Sequence, residues 1–68
     1  MKNSIKIQRT IKGFTQAALA EKVEVTRQTI NAIELEKYSP SAVLALKLAS
    51  VLEIETDQLF QLEEKDWN

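Results

Sequence analysis

The chain has no cysteine and no histidine, and it has only one glycine and one proline among its 68 residues. These absences exclude disulfides, the usual zinc sites and most nucleophile–base pairs of enzymes. A single glycine also excludes a glycine-rich loop of the kind that cradles phosphate groups. We therefore expect a protein that is not an enzyme and that binds no metal or cofactor.

Long hydrophobic runs are missing as well. No apolar stretch approaches the ~20 residues of a membrane-spanning helix. Residues 1–12 contain no apolar segment followed by a cleavage site, so a secretory signal is not indicated. The sequence predicts a cytoplasmic protein with no membrane partner, and it shows no sign of a small-molecule ligand.

What is present indicates one small helical domain over residues 1–68. Hydrophobic residues make up 44% of the chain and charged residues 28%, which is typical of a sequence that folds around a core. A core of this size stabilises a fold by only ~3–5 kcal/mol without disulfides or metals. Pairing of two copies is the remaining way to add stability.

The charges are unevenly distributed, although the net charge is −1. Residues 1–38 contain seven basic and four acidic residues, whereas residues 39–68 contain two basic and six acidic ones. Such an asymmetry suits a protein that turns one face towards phosphate, and chance scatter on a solvated surface also produces it. Charge alone leaves both interpretations open.

Capping and turn residues divide the chain into five short helices. The residues suited to begin a helix are Ser4, Thr15, Thr26, Ser41 and Thr56. The predicted helices span residues 5–12, 16–22, 27–37, 42–52 and 57–60. Helices this short, joined by short connections, must cross at steep angles. The predicted fold class is therefore all-α, with a polar C-terminal tail over residues 61–68.

The second and third helices have the spacing of a helix-turn-helix over about residues 16–37. Leu19 and Val23 line one face of helix two, and Ile30 and Ile33 line one face of helix three. Ala20 supplies a small side chain at the place where two steeply crossing helices come nearest. This pattern predicts that the two helices pack as one rigid unit.

The outward face of the third helix is short and polar. With the apolar residues inward, the period of 100° per residue turns Gln28 outward, flanked by Arg27, Asn31 and Ala32. Glutamine and asparagine pair with adenine in the major groove, and arginine pairs with guanine. An ordinary solvated face is the alternative, and the helix-turn-helix spacing favours a surface that reads DNA.

Three segments carry a family resemblance: residues 14–23 (FTQAALAEKV), 25–34 (VTRQTINAIE) and 37–41 (KYSPS). They resemble the Cro/phage-repressor type of helix-turn-helix regulator, the xenobiotic-response-element family, and the likeness extends over about residues 5–60. In length the chain is most similar to the small Gram-positive repressors of the cytolysin-repressor kind, which are homodimers. The resemblance implies a compact five-helix lambda-repressor-like DNA-binding domain.

The resemblance also implies roles for particular residues. Arg27 and Gln28 would read base edges, with Asn31 and Ala32 next along the groove. The residues that would contact phosphates are Gln16, Thr26, Thr29, Lys37, Tyr38 and Ser39. The matching Arg9 and Glu34 would form an internal ion pair between helices one and three.

The sequence departs from the family at three turns, where glutamate stands in place of the usual glycine. These residues are Glu24, Glu36 and Glu53. A left-handed backbone costs a residue other than glycine ~1 kcal/mol, so we expect the turns to form at reduced stability. Two of them, Glu24 and Glu36, also place negative charge near the expected phosphate surface.

The C-terminal part of the chain is the expected site of self-association. We expect Leu59, Leu62 and Trp67 to present apolar groups to a second copy, although Leu59 also suits a place in the core. The alternation of apolar Phe60 and Leu62 with polar neighbours permits a short strand that pairs with the N-terminus.

Two functions follow from these observations. The first is a homodimeric, sequence-specific regulator that binds a palindromic operator in double-stranded DNA and represses transcription by occluding the promoter. The second is a protein-interaction module of the same fold, such as an antitoxin or a bridging factor. The low isoelectric point, about 5.3, and the glutamates at three turns slightly favour the second.

Overall fold

Hydroxyl side chains begin the three central helices of the computed structural model, which describes residues 1–67. Thr15 Oγ1 accepts a hydrogen bond from the backbone N–H of Ala18 at 3.0 Å, and Thr26 Oγ1 accepts one from Thr29 at 3.2 Å. Ser41 begins the next helix in the same way. The predictions for these three N-caps are confirmed, because each hydroxyl satisfies a backbone donor that the first helical turn leaves free.

The five predicted helices are all present, so the all-α fold class is confirmed. Their bounds are α1 Ile5–Ile11, α2 Gln16–Lys22, α3 Arg27–Glu34, α4 Ala42–Leu52 and α5 Thr56–Leu59. A 3-10 helix, Glu64–Trp67, follows near the C-terminus. The chain thus keeps to short helices with short connections throughout the described residues.

Three details of the helix ends differ from the prediction. Ser4 makes no side-chain capping bond to α1, and Thr56 lies inside α5, which Glu55 precedes as the N-cap. The third helix ends at Glu34 and not near Lys37, because Glu36 adopts a left-handed backbone with φ of 61°. These ends depend on the backbone of the following turn, which capping preferences alone do not fix.

The core combines apolar residues from all five helices. The buried residues are Ile5, Leu19, Ala20, Val23, Ile30, Ile33, Leu44, Leu48, Ala49, Leu52, Leu59 and Phe60. The inward faces predicted for helices two and three are therefore confirmed. Helix α1 contributes little, since Ile7 and Ile11 are 63% and 71% exposed and only Ile5 is fully enclosed.

The two chain ends meet in a two-stranded antiparallel ribbon. Strand β1, Lys2–Asn3, pairs with β2, Phe60–Gln61, with Asn3 opposite Phe60. The Asn3 side chain also donates a 2.8 Å hydrogen bond to the carbonyl of Ile33 in α3. The expectation of a short strand paired with the N-terminus is thereby confirmed, and the ribbon is attached to the third helix.

The expectation for Leu59 as an exposed dimer contact is wrong. Its side chain is completely buried, because α5 turns it into the core just before the ribbon, where its carbonyl accepts a bond from Ser4. Leu62 and Trp67 follow the ribbon and are 61% and 75% exposed. Of the three predicted contacts, these two remain available to a second copy.

The first four helices end in the same hydrogen-bonded turn, each with one left-handed residue. These residues are Gly13, Glu24, Glu36 and Glu53, with φ between 56° and 79°. At each turn the next residue donates a backbone bond to the carbonyl five residues earlier, such as Lys37 to Ala32 at 2.9 Å. This is the Schellman arrangement, which normally favours glycine at the left-handed position. The expectation that glutamate would adopt it at three turns is confirmed.

Replacing a left-handed glutamate by glycine should stabilise the fold. We choose Glu36, since within residues 1–67 it forms no ion pair with a lysine or arginine. The unfolding free energy of Glu36→Gly should be ~1 kcal/mol higher than that of Glu36→Ala. Both variants remove the carboxylate, but only glycine relieves the strain of the left-handed backbone. Urea denaturation measures the difference. Equal stability of the two variants would contradict the strain argument.

Candidate nucleic-acid interface

Helices α2 and α3 form the predicted helix-turn-helix. Ala20 is 3% exposed, and Val25 donates a 3.0 Å backbone hydrogen bond to the Ala20 carbonyl. This bond closes the turn in which Glu24 is left-handed. Because the inner faces of both helices are buried, α3 has a dry and well-packed back. The opposite face of α3 is thus held at a fixed orientation towards solvent.

The residues predicted to read bases lie on this outer face. Arg27, Gln28 and Asn31 are exposed, and Ala32 is half-buried beside them. An arginine and two amide side chains offer the donor and acceptor groups that base edges in a major groove can pair with. The structure therefore brings together the base-reading set that the family resemblance implies, on a helix eight residues long.

The residues predicted to contact phosphates surround that face. Gln16 is half-buried at the start of α2. Thr26 and Thr29 lie at the start of α3, with their hydroxyl oxygens 3.0 Å apart. Three further exposed residues follow the end of α3: Lys37, Tyr38 and Ser39. Polar groups thus flank the outer face of α3 at both ends.

A charged pair links α1 to α3 behind this surface. Arg9 Nε donates to Glu34 Oε2 at 2.6 Å and Arg9 Nη2 donates to Oε1 at 3.1 Å, so the pair is bidentate. Arg9 Nη1 also donates to the Phe14 carbonyl at 3.2 Å. The side chains of Arg9 and Glu34 are 14% and 7% exposed. The ion pair that the resemblance implies is therefore present, and it also fixes the loop before α2.

The ionisation of Glu34 depends on its donors. Burial on its own would raise the pKa of Glu34, but hydrogen bonds from Arg9 and Gln16 outweigh it and hold the pKa below its ordinary value. The hydrogen bonds between Arg9 and Glu34 raise the pKa of Arg9 above its ordinary value. Both groups therefore stay charged at neutral pH, and the pair persists under physiological conditions.

Gln16 has an internal contact that sequence reasoning missed. Its amide nitrogen donates to Glu34 Oε1 at 3.0 Å and to Asn31 Oδ1 at 3.2 Å. The sequence contains only a weak indication of this contact: Asn31 and Glu34 are three residues apart on α3, so their side chains lie on the same side of that helix. Gln16 thus connects the partly buried ion pair to Asn31, one of the candidate base-reading side chains.

Two of the three turn glutamates are partly neutralised by lysines. Glu24 lies 3.3 Å from Lys47 of α4, and Glu53 forms an ion pair with Lys12. Lys22 lies over the ring of Phe14, 5.1 Å from its centroid. The negative charge expected at the helix-turn-helix is thereby reduced at Glu24. Arg27 and Lys37 remain as the cations of α3 and the loop that follows it.

Neither a metal cluster nor a membrane-spanning helix is found in the described part of the chain. Residues 1–67 contain no cluster of acidic side chains that could hold a metal ion. None of their helices has the length and apolar character needed to cross a membrane. The predicted base-reading residues lie on the outer face of α3.

Comparison with known proteins places this geometry in a family. Residues 5–59 match the family model described as helix-turn-helix. The uncharacterized HTH-type transcriptional regulator YgzD of Bacillus subtilis is 44% identical over 66 residues, which cover 97% of this chain and all of YgzD. An uncharacterized HTH-type transcriptional regulator of Methanocaldococcus jannaschii is 42% identical with the same coverage.

A solved structure shows the same fold. The chain is similar to the restriction-modification controller protein C.AhdI from Aeromonas hydrophila, with a TM-score of 0.75 and 36% sequence identity. The match covers 82% of this chain and 81% of that one. Since the match extends over most of both chains, the likeness concerns the whole domain and not the helix-turn-helix alone.

The partly buried Arg9–Glu34 ion pair predicts a pH-dependent contribution to stability. Since the pKa of Glu34 is lowered on folding, its contribution is complete above the ordinary value of 4.5 and is lost as the pH falls through the folded value. Glu34→Gln should therefore lower the unfolding free energy by ~1–2 kcal/mol at neutral pH. The difference in unfolding free energy between wild type and variant should decrease in acid, as measured by urea denaturation between pH 7 and pH 3.

The matched control is Glu21→Gln, which removes an exposed glutamate from α2. It should change stability much less than Glu34→Gln at neutral pH, because an exposed charge contributes little. If the difference in unfolding free energy between wild type and Glu34→Gln stays constant down to pH 3, the carboxylate does not stabilise the fold through its charge.

Proposed function

The chain belongs to the helix-turn-helix family of transcriptional regulators, and from this membership we propose that it is a homodimer that binds double-stranded DNA sequence-specifically and represses transcription. The observation that carries the proposal is the outer face of α3. Arg27, Gln28 and Asn31 are exposed there on a helix whose opposite side is buried in the core.

Base recognition follows from the chemistry of these three side chains. Arginine donates two parallel bonds to guanine O6 and N7, and the amide of Gln28 pairs with adenine by donating to N7 and accepting from N6. Ala32 lies beside them and offers a small apolar surface to a thymine methyl group. A rigid α3 in the major groove would place these groups at successive base pairs.

Phosphate contacts would fix the position of α3 in the groove. Thr26 and Thr29 lie at its start, Gln16 begins the neighbouring α2, and Lys37, Tyr38 and Ser39 follow the end of α3. Contacts to phosphate carry no sequence information but set the register in which the base contacts form. We therefore assign orientation to these flanking residues and specificity to the outer face of α3.

Dimerisation would supply the affinity that one domain lacks. A single small module buries only ~600–1,000 Å² on DNA, and two copies would read half-sites about 34 Å apart. Leu62 and Trp67 are the exposed apolar residues near the end of the chain, and we assign them to the dimer contact. A two-fold dimer implies a palindromic operator.

Repression by occlusion requires no more than this DNA-binding surface. A dimer bound across a promoter would prevent polymerase from reaching the same DNA, with no ligand or cofactor in the mechanism. The name of the structural neighbour, a restriction-modification controller protein, supports a regulatory role for this fold.

The interaction-module alternative has one observation in its favour. Helix α3 carries a single cation, Arg27, and the left-handed Glu36 follows it closely. Salt dependence separates the two functions, because DNA binding releases counterions and weakens linearly with the logarithm of salt concentration. A chain that serves only as an adaptor would show no DNA binding to titrate.

Gln28→Ala should weaken binding to the preferred operator by at least tenfold, since an amide pair with a base contributes ~1–3 kcal/mol in each half-site. The operator is first obtained by selecting bound fragments from a random duplex pool at stated salt. Electrophoretic mobility shifts then measure the affinities of wild type and variant for that operator.

Two controls accompany this measurement. Gln58→Ala removes an exposed amide from α5, outside the helix-turn-helix, and should leave operator affinity within about twofold. Binding of Gln28→Ala to an unrelated duplex should equal that of the wild type, because that binding depends on phosphates. Unchanged operator affinity in Gln28→Ala would show that the reading face is assigned wrongly.

Leu62→Ser should dissociate the dimer at concentrations where the wild type is paired, because it removes an apolar group from the contact. Sedimentation equilibrium measures the dissociation constant. Leu46→Ser is the matched control, since Leu46 of α4 is 60% exposed against 61% for Leu62. Dissociation by Leu46→Ser and not by Leu62→Ser would place the contact on α4 and contradict the assignment.

A further inference from the structure

We infer that Lys6, in the first turn of α1, binds a phosphate of the DNA backbone and so adds a third helix to the contact surface. The phosphate contacts of the proposed function lie on α2, around α3 and in the loop after α3, and none of them lies on α1. The inference rests on the proposed function, because it concerns the same contact with duplex DNA. It is carried by the attachment of α1 to the end of α3 and by the unpaired charge of Lys6.

Two side chains attach the start of α1 to the last turn of α3. Asn3 Nδ2 donates a 2.8 Å hydrogen bond to the Ile33 carbonyl, and Asn3 Oδ1 accepts one at 3.2 Å from the backbone N–H of Ile5, the first residue of α1. Arg9 donates to both oxygens of Glu34, at 2.6 and 3.1 Å. The stretch from residue 3 to residue 9 is therefore held against residues 33 and 34 at both of its ends.

Lys6 lies midway between these two attachments. Residues three positions apart are neighbours on a helix surface, so Lys6 lies on the side of α1 from which Arg9 reaches α3. Burial raises the pKa of Glu34, and the groups that lower it include, after the hydrogen-bond donors, the positive charge of Lys6. Since Lys6 is exposed, its ammonium group lies in solvent beside the end of α3.

The charge of Lys6 has no acidic partner within residues 1–67. Both oxygens of Glu34 accept hydrogen bonds from Arg9, so this carboxylate is already paired. Other lysines of the chain differ in this respect, because they form ion pairs with carboxylates: Lys12 with Glu53, Lys47 with Glu24 and Lys65 with Glu63. Lys6 is thus free to bind an anion from outside the protein.

A backbone phosphate is the anion that this position would meet. With α3 in a major groove, the sugar–phosphate strands border the groove on both sides of the helix. A cation beside the end of α3 therefore lies near a strand. Lysine binds phosphate as a point charge, without the fixed geometry that a bidentate pair requires. The contact would help to set the register of α3 and would carry no base preference.

The test measures how the affinity for the selected operator depends on salt in wild type, Lys6→Gln and Lys6→Arg. Each phosphate contact contributes about 0.9 to the slope of log affinity against log salt, so two copies of Lys6 in a dimer contribute about 1.8. Lys6→Gln should reduce the slope by that amount. The ratio of wild-type to Lys6→Gln affinity should therefore decrease about tenfold between about 50 and 200 mM salt. Lys6→Arg keeps the charge and should retain the wild-type slope.

The matched control is Lys12→Gln, which removes the same charge from the same helix. Lys12 is six positions after Lys6, about 120° away around α1, and it pairs with Glu53 at the end of α4. Its removal should leave the slope within about 0.5 of the wild-type value. Thermal unfolding checks that every variant is folded, since exposed lysines contribute little to stability.

Three results would overturn the inference and leave the proposed function intact. An unchanged slope in Lys6→Gln would show that Lys6 meets no phosphate. An equal reduction in Lys12→Gln would show that net charge determines the slope and not the place of Lys6. A slope that stays reduced in Lys6→Arg would show that the effect does not depend on the charge.

A different result concerns the proposed function itself. A wild type that enriches no sequence and binds no duplex at any salt concentration would overturn that function, and the role of Lys6 with it. Binding of Lys6→Gln to an unrelated duplex gives a further check, because a phosphate contact acts on every sequence. That binding should be weaker than the wild type's, and a loss confined to the operator would overturn the assignment to phosphate.

Discussion

The carboxylate of Glu34 is the constraint on which the rest of the surface depends. It lies on α3 but takes its hydrogen bonds from Arg9 of α1 and Gln16 of α2. A nearly buried carboxylate is costly unless its oxygens are satisfied, so α1 and α2 must stay in place for α3 to keep this residue ionised. This matters most for α1, which contributes only Ile5 to the core as a fully enclosed side chain. The ion pair thus supplies the attachment that apolar packing does not.

The helix ends place a second constraint on α3. The same left-handed turn ends four helices, and three of them use glutamate where the backbone favours glycine. Glu24 and Glu53 are compensated in part by ion pairs with lysines, whereas Glu36 gains no such pair within residues 1–67. The turn at Glu36 nevertheless stops α3 at Glu34, so that the next three residues leave the helix axis. The length of α3 is therefore set by the left-handed turn at Glu36 and not by the helix propensity of its residues.

Much of the fold could be predicted because local rules act within a few residues. The hydroxyl caps Thr15 and Thr26 each bond to a backbone group three residues on, and the buried pair Ile30 and Ile33 follows from helical periodicity. The sequence left two places open for Leu59, the core and a dimer contact, because the choice depends on how α5 meets a two-residue ribbon. The hydrogen bonds made by Gln16 were not predicted for a similar reason. They join side chains 15 and 18 residues apart, and residue spacing does not specify the angle at which α2 crosses α3.

The sparse positive charge of this surface explains why rigidity matters to the proposed function. Arg27 and Lys37 are the cations of α3 and its following loop, so this part of the surface would release few counterions on binding DNA. More of the binding energy must then come from hydrogen bonds to base edges, which are lost when a side chain is misplaced by about an ångström. A helix held by Glu34 from two sides and an Asn31 amide held by Gln16 meet that requirement before DNA arrives. In this protein, the Arg9–Glu34 ion pair and the Asn31 amide on the outer face of α3 are parts of one hydrogen-bonded chain.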